Sequence, residues 1–419
     1  MSQAVTKNAR IGVLGAGAAG LSAAHFLRKR GYTNVTVFEK LNRVGGKCET
    51  VWIDDRWYDV GASALSIGYS ATRAIAREYN VNVTSIARFN RRKHAGYVDV
   101  DCGLPIRTSD RQKLAALRAV ANFELKSALC RGKSSIFSRA LNKDLAMPFG
   151  EWARKHKCEA VLPAMAHFNT GWGYGYLEEV PALYVLRYNK LVSTLLPLLL
   201  GHWIYSVELG YQHLWEMVAG SMDVRLGVEV NHIERSPSGV RLHHGSGTEQ
   251  LDALIMTVPP TVDMLACDSE ESELFERIRA YDYNVCIMPV QGLTASVGYY
   301  GKNFSPHRSG HVVFSYQRWP DRDLTNLYAF APTSGGANNI EDILGGDLAA
   351  LGATFDEPRL TRKWPYFYHV SPADITSGWF DRVEARQGRG RTFFAGSLMS
   401  FETVEHVVRY SQGLVNRFF

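Results

Sequence analysis

The sequence predicts an α/β fold in which a Rossmann-like domain is built from discontinuous segments. Three observations carry this. The apolar run Ile11 to Leu14 leads straight into Gly15-Ala16-Gly17-Ala18-Ala19-Gly20, which has G-x-G-x-x-G spacing. A second apolar run, Val35 to Phe38, ends in the acid Glu39, as the second strand of a βαβ nucleotide-binding unit should. Far along the chain, Arg391 to Ser397 reads as one more strand, closing in Ala-Gly before a helix that starts near Thr403.

Each part of the first unit has a physical role. Gly15 permits the tight turn, Gly17 lets the backbone approach a pyrophosphate, and Gly20 lets the helix pack closely on the strand. The helix is amphipathic, with Leu21, Ala24 and Leu27 on one face and Arg28, Lys29 and Arg30 outside. A pyrophosphate is expected on its N-terminus, where N–H groups and the positive dipole end meet it. Glu39 is placed to accept from ribose hydroxyls, and its charge repels a 2′-phosphate, which argues against NADP. Beyond it, Arg43-Val44-Gly45-Gly46-Lys47 supplies a second glycine turn for which a plain nicotinamide dehydrogenase has no need. The cofactor is therefore read as FAD, with NAD as the competitor. Gly15, Ala16, Gly17, Ala18, Ala19, Gly20, Glu39, Lys40, Gly45, Gly46 and Lys47 are the first expected contacts. Asp59-Val60-Gly61-Ala62 is expected to return the chain to the cofactor through Gly61 and Ala62.

Further along, Ser70 to Tyr79 reads as a helix ending at Asn80, and Gly96 to Val100 alternates as a half-buried strand does. Residues 108–220 are helix-rich. A helix capped by Ser109 or Asp110 carries Leu114, Leu117 and Val120 on one face and Arg111, Lys113 and Arg118 on the other. That basic face reads as solvated, with peripheral contact to a membrane surface as the minority reading. Pro148 opens a short helix through His156. The run Phe168 to Tyr176 alternates aromatics with glycine. It is expected to be poor helix and poor core, suited to a turn or to a loop beside a ligand. Val228 to Ile233, Val240 to Leu242 and Leu251 to Val258 read as three strands of a meander that completes the cofactor domain, with Val230 and Val258 as contacts. Residues 263–385 read as strands alternating with loops, rich in aromatics. Gly396, Ser397 and Val404 close the set of cofactor contacts.

Composition narrows the function. The 419 residues are 46% hydrophobic, enough for one large or two medium domains, and the net charge is only +6. With no basic helix and no recognised nucleic-acid motif, nucleic-acid binding is not expected. The six cysteines are widely spaced, without C-x-x-C or Cys/His metal spacing, so no metal site is expected and a reduced, cytoplasmic protein is. The polar start precedes the first strand without a signal-peptide pattern. The most apolar stretch, Leu191 to Leu200, is too short to span a bilayer and contains Pro197, so no transmembrane segment is expected. A second G-x-G-x-x-G is absent, so hydride is expected from the substrate rather than from NADPH. No acid–base or nucleophile constellation stands out among the scattered histidines, and G-x-S-x-G is missing. The cluster Arg88, Arg91, Arg92, Lys93 reads either as a solvated loop or as an attractive field for an anionic substrate such as a carboxylate. The sequence assigns no oligomeric state.

Taken together, these segments resemble the FAD-dependent amine oxidase superfamily. Within it, the chain is similar to the polyunsaturated fatty acid double-bond isomerases that form conjugated linoleic acid. The first segment, Arg10 to Cys48, carries the superfamily resemblance. The narrower one rests on Gly173-Tyr174-Gly175 through Tyr188, Gly310-His311-Val312 through Trp319, His369-Val370-Ser371 through Trp379, Phe394-Ala395-Gly396, Met399-Ser400-Phe401 and Val415 to Phe419. The resemblance implies an FAD-binding domain (residues 1–85, 221–262 and 386–419), a sheet-based substrate domain (86–107 and 263–385) and a helical cap (108–220). It implies a free polyunsaturated fatty acid as substrate, a small molecule threaded past the flavin. The implied chemistry is hydride transfer to flavin N5 from the carbon between two double bonds, then return to another carbon, leaving a conjugated diene with no net redox change. Arg88 is the nearest match to the family's carboxylate clamp, with Arg91 as the second choice. Phe168, Trp172, Tyr174, Tyr366 and Tyr368 are candidates to stabilise the substrate cation through their ring faces. The chain departs from the pattern in two places. Ser397 stands where many relatives have an acid contacting the ribitol, and Leu195 to Leu200 lacks the aromatic at the carboxylate entrance. The rival readings are an amine oxidase or desaturase with net oxidation, and a flavin-binding protein without turnover.

Overall fold

The computed structural model describes residues 5–85, 97–99, 104–105, 122–123, 125–126, 143–188, 204–331 and 339–419. The chain forms two compact units, one from Met1–Thr84, Ser206–Arg279 and Tyr368–Phe419, the other from Ser85–Tyr205 and Ala280–Phe367.

The first unit is organised around a five-stranded parallel sheet. Its central strand β1 (Ile11–Leu14) is buried along its length, because an uninterrupted apolar run suits a strand covered on both faces. β1 pairs with β2 (Val35–Phe38) on one side and with Ala253–Met256 on the other. Asp223–Arg225 and Thr392–Phe394 form the edges, so the sheet is assembled from sequence-distant pieces. The edge strand Thr392–Phe394 is closed by one side chain. The Gln387 amide donates to Phe394 O and accepts from Phe394 N, both at 2.8 Å, standing in for a further strand. Helix α1 (Ala18–Lys29) buries Leu21, Ala24 and Leu27 as the periodicity predicts. It lies against the C-terminal helix Val404–Phe418, where Ser411 Oγ donates to Ala19 O at 3.0 Å.

One strand assignment is corrected. The third strand of the antiparallel meander is Gly247–Leu251, after Val230–Ser236 and Gly239–His244. The apolar run read as that strand belongs to the parallel sheet, as Ala253–Met256. All four of its residues are buried, whereas the strands of the meander keep one face in solvent. Residues 263–385 also contain more helix than the alternation of strands and loops suggested. In this unit Ser269–Phe275 and Pro372–Thr376 each begin with a capping box, Asp268/Glu271 and Ser371/Asp374. Around the first of these, Arg235 pairs with the buried Glu271, and Arg386 with Asp268 at 2.7 Å.

The second unit is built on an eight-stranded sheet with mostly antiparallel pairings, Val297–Tyr299 and Tyr97–Asp99 running parallel. Its strand Leu324–Phe330 is buried at every position. The helix Ile340–Ala350 packs Leu344 and Leu348 onto Met288, Leu327 and Ala329 of the sheet. Three more helices, Phe149–Lys155, Leu162–Asn169 and Ala182–Tyr188, come from the helix-rich segment. The predicted helix from Ser109 falls largely, and the Leu191 to Leu200 run wholly, outside the described residues. Among the described residues no helix is long and apolar enough to cross a membrane.

Candidate cofactor and substrate residues

The turn from β1 into α1 is shaped by two close approaches. Gly15 has φ +101°, and a Cβ there would meet Thr257 Oγ1 at 2.9 Å and Val258 Cγ1 at 3.1 Å, so Val258 lies against the turn. A Cβ on Gly20 would lie 1.9 Å from Gly15 O. The Gly45-Gly46 turn packs against the first one: Gly45 N donates to Ala16 O at 2.9 Å and Gly17 bridges to Gly45. Helix α1 starts at Gly17 with no side-chain cap and no acid in its first turn. Its first N–H groups and the positive dipole end are left to an incoming anion. This cradle fits a dinucleotide pyrophosphate.

Glu39 is buried beside the turn. Its Oε2 accepts from Ala16 N at 2.8 Å and its Oε1 from Leu41 N at 2.9 Å, which fixes the carboxylate before any ribose arrives. Val228 N donates to Glu39 O at 2.8 Å and brings the buried Val230 to the same end of the sheet. Lys40, next in sequence, is exposed. Lys47 O accepts from Ala62 N at 2.9 Å, and a Cβ on Gly61 would lie 1.9 Å from that oxygen. On the neighbouring strand, a Cβ on Gly396 would fall 2.5 Å from Thr257 O; Ser397 follows, partly buried. Val404 opens the C-terminal helix, whose cap Thr403 accepts from His406 N at 3.3 Å. The chemistry of this set, a buried carboxylate acceptor beside an uncapped helix start and paired glycine turns, fits FAD. Replacement of Glu39 by Ala is expected to weaken FAD binding roughly tenfold to hundredfold, the value of a hydrogen bond to a charged acceptor. Flavin content and FAD titration of the purified variant check this, and unchanged content would remove Glu39 from the ribose site.

Several residues of this region were not among the expected contacts. Arg43 Nη1 donates to Gly46 O at 2.9 Å and Nη2 pairs with Glu49 at 3.2 Å, locking the second glycine turn. Lys47 Nζ lies 2.6 Å from Glu402 Oε1 and 4.7 Å from the Tyr368 ring centroid. Glu405 accepts from Ala71 N and Thr72 N. Acids at the start of a helix were the available signal for Glu402 and Glu405. Their partners are more than 300 residues away and leave no local trace.

In the second unit, Phe168 closes the helix Leu162–Asn169 and meets Trp172 edge-on at 5.3 Å. Trp172 Nε1 donates to Tyr299 OH at 3.2 Å. Tyr174 stacks on Tyr366 at 5.8 Å, and Tyr366 on Tyr283 at 5.6 Å. The expectation of poor helix and poor core for Phe168 to Tyr176 is therefore corrected: Phe168 is helical, and Phe168, Tyr174 and Tyr176 are buried. The glycines make room for rings from a distant strand, since a Cβ on Gly173 would lie 2.8 Å from Tyr283. Burial, reinforced by Tyr328 and Tyr174, holds the Tyr283 phenol well above its ordinary pKa, so this ring stays neutral. Tyr368 lies in the other unit, against Lys47. Arg88 and Arg91 lie outside the described residues.

Burial pushes the Cys48 thiol up to about 12 and those of Cys267 and Cys286 up to about 11, which keeps them protonated and non-nucleophilic. Among the described residues no group of three His, Cys, Asp or Glu is arranged to hold a metal ion.

Residues 18–410 match the flavin containing amine oxidoreductase family, and the chain belongs to it. The protein is accordingly a flavin-dependent enzyme with FAD as its cofactor. Its fold is similar to that of a CLA-producing fatty acid isomerase from P. acnes, with a TM-score of 0.89 and 28% identity over 99% of this chain and 100% of that one. It is 25% identical to an FAD-dependent oxidoreductase, dpasF, of Apiospora sacchari, over 95% of this chain and 91% of the relative. It is 24% identical to a polyenoic fatty acid isomerase of Ptilota filicina, over 42% of this chain and 40% of the relative.

Proposed function

We propose that the protein is a cytoplasmic FAD-dependent isomerase that moves a double bond in a free polyunsaturated fatty acid to give a conjugated diene. The observation that carries this reading is the end-to-end likeness to a CLA-producing fatty acid isomerase. Bound FAD supplies hydride abstraction at N5 and return of the hydride to a different carbon. The chain's own part is to hold the cofactor through the cradle around Gly15–Gly20 and Glu39, and to present the substrate. Among the described residues, the protonated thiols of Cys48, Cys267 and Cys286 suit chemistry that needs no protein nucleophile. In the sheet-based unit, Trp172, Tyr174 and Tyr366 offer aromatic rings, and a ring face turned to a desolvated cation is worth about 2 kcal/mol. On this reading residues 1–85, 221–262 and 386–419 bind FAD, 86–107 and 263–385 bind substrate, and 108–220 form a cap.

The oxidoreductase relative favours a second reading, net oxidation of the substrate as an amine oxidase or desaturase. Mixing the protein anaerobically with linoleic acid and following the ultraviolet–visible spectrum separates the two. Growth of a conjugated-diene band with the flavin still oxidised supports isomerisation. A flavin that bleaches and stays bleached supports net oxidation, and no change in either band rejects the fatty acid. Arg88→Ala is expected to raise KM for the free acid at least tenfold more than for its methyl ester. Equal effects on the two would remove Arg88 from the carboxylate clamp.

A further inference from the structure

The cation–carboxylate–aromatic group formed by Lys47, Glu402 and Tyr368 has no role in the function proposed above. The Glu402 side chain is 4% exposed, and a carboxylate so buried must be matched on both oxygens. Oε1 faces the Lys47 ammonium at 2.6 Å, and Oε2 accepts from Tyr368 N at 3.3 Å. The Tyr368 ring lies beneath the same ammonium. A lysine side chain is flexible and strongly hydrated, and at 25% exposure Lys47 would ordinarily be loosely held. Here it is fixed from two directions.

Its main chain is fixed as well, in the middle of the segments that fit the cofactor. Lys47 follows the Gly45-Gly46 turn that packs on Gly17, and its carbonyl is held by Ala62 N. Glu402 stands two residues before Val404 at the start of the C-terminal helix. A single positive charge is thus pinned at the convergence of these segments, with a negative charge set behind it.

We propose that Glu402 and Tyr368 are positioning residues for the Lys47 ammonium, and that this clamp sets the reduction potential of the bound flavin. A fixed cation favours the electron-rich reduced flavin, and the carboxylate behind it offsets part of that effect. The two charges must therefore act with opposite sign. Tyr368, its face taken by Lys47, belongs to this clamp rather than to the set of rings that stabilise a substrate cation. The inference rests on the FAD cofactor and is independent of which substrate is turned over.

The test is the two-electron reduction potential of the bound flavin in the purified holoenzyme and in variants matched for flavin content. Lys47→Met is expected to lower the reduction equilibrium constant about tenfold, about 30 mV for a two-electron couple. Glu402→Gln is expected to shift the potential upward, and Lys47→Arg to leave it near that of the parent. Should Lys47→Met lose its flavin, the opposing pair Glu402→Gln and Lys47→Arg still decides the matter. Potentials of Lys47→Met and Glu402→Gln that match the parent, or move in the same direction, overturn the proposal. So does a Lys47→Arg shift as large as that of Lys47→Met. A purely structural role predicts lowered melting temperatures with an unmoved potential.

Discussion

Gly20→Ala is expected to yield a protein that purifies with less than about a tenth of the normal flavin and melts well below the parent. The added methyl would sit 1.9 Å from Gly15 O and 3.1 Å from Thr257 Oγ1. The first of these is backbone, so no side-chain rotation relieves the clash. Either α1 must move off β1 or the Gly15 turn must open. Overpacking of a well-fitted interior costs about 1–3 kcal/mol, and a backbone obstruction belongs at the top of that range. The loss of cofactor should exceed the loss of stability. The N–H groups at the start of α1 are expected to reach a pyrophosphate only from one position, and Gly20 lets the helix sit there. The visible-to-protein absorbance ratio and the melting temperature measure the two effects separately. Gly413→Ala is the matched control: it adds the same methyl within the helix Val404–Phe418, where nothing lies within 4 Å. That change is expected to be neutral or to stabilise by up to about 1 kcal/mol, since alanine is the better helix former. A Gly20→Ala protein that keeps its flavin would mean that the interface yields and that G-x-G-x-x-G does not carry cofactor binding here.

Such local constraints are why the cofactor half of the molecule was legible from sequence. Gly20 meets Gly15 within a few residues, Gly15 meets Thr257 and Val258 at the end of the adjacent strand, and Gly17 meets the Gly45-Gly46 turn that follows β2, while the apolar runs of β1 and β2 announce strands buried on both faces. Pairing over distance leaves no such local mark. An apolar run such as Ala253–Met256 declares a strand but not its sheet, and its place in sequence points to the meander it follows rather than to the parallel sheet it joins. Around Gly173, the alternation of glycine and aromatic looks locally like poor core. It packs well because Tyr283, over a hundred residues away, fills the space that the glycine leaves, its hydroxyl donating to Gly171 O at 2.7 Å. Glu402 and Glu405 were invisible as site residues for the same reason. Their meaning lies in Lys47 and in the helix α2 (Ser70–Glu78), at the opposite end of the chain.

Glu405→Ala is expected to cost about 3–5 kcal/mol of stability and to reduce flavin content with it. The N-cap residue of α2, Tyr69, makes no side-chain cap hydrogen bond. The capping is supplied from the C-terminal helix instead. Glu405, 5% exposed, accepts from Ala71 N at 3.0 Å, and from Thr72 N and Thr72 Oγ1 at 2.9 Å. Its charge also complements the positive end of α2. Truncation leaves two N–H groups and the hydroxyl of the fully buried Thr72 without their acceptor, at about 1–3 kcal/mol for each that water does not reach. It also strips Arg409 of a partner at 2.6 Å, a smaller loss because Arg409 is half-exposed. Glu405→Gln keeps one oxygen acceptor and gives up the charge, so it should retain about half of the difference. Denaturant unfolding of the three proteins without added FAD measures the cap itself, because flavin bound to the native state would add its own linkage. Flavin content then reports on Val404, the neighbour whose position Glu405 fixes by tying the start of one helix to the start of the other. A loss under about 1 kcal/mol would mean that water enters and caps α2 in its place, and that the two helix starts are coupled by packing alone.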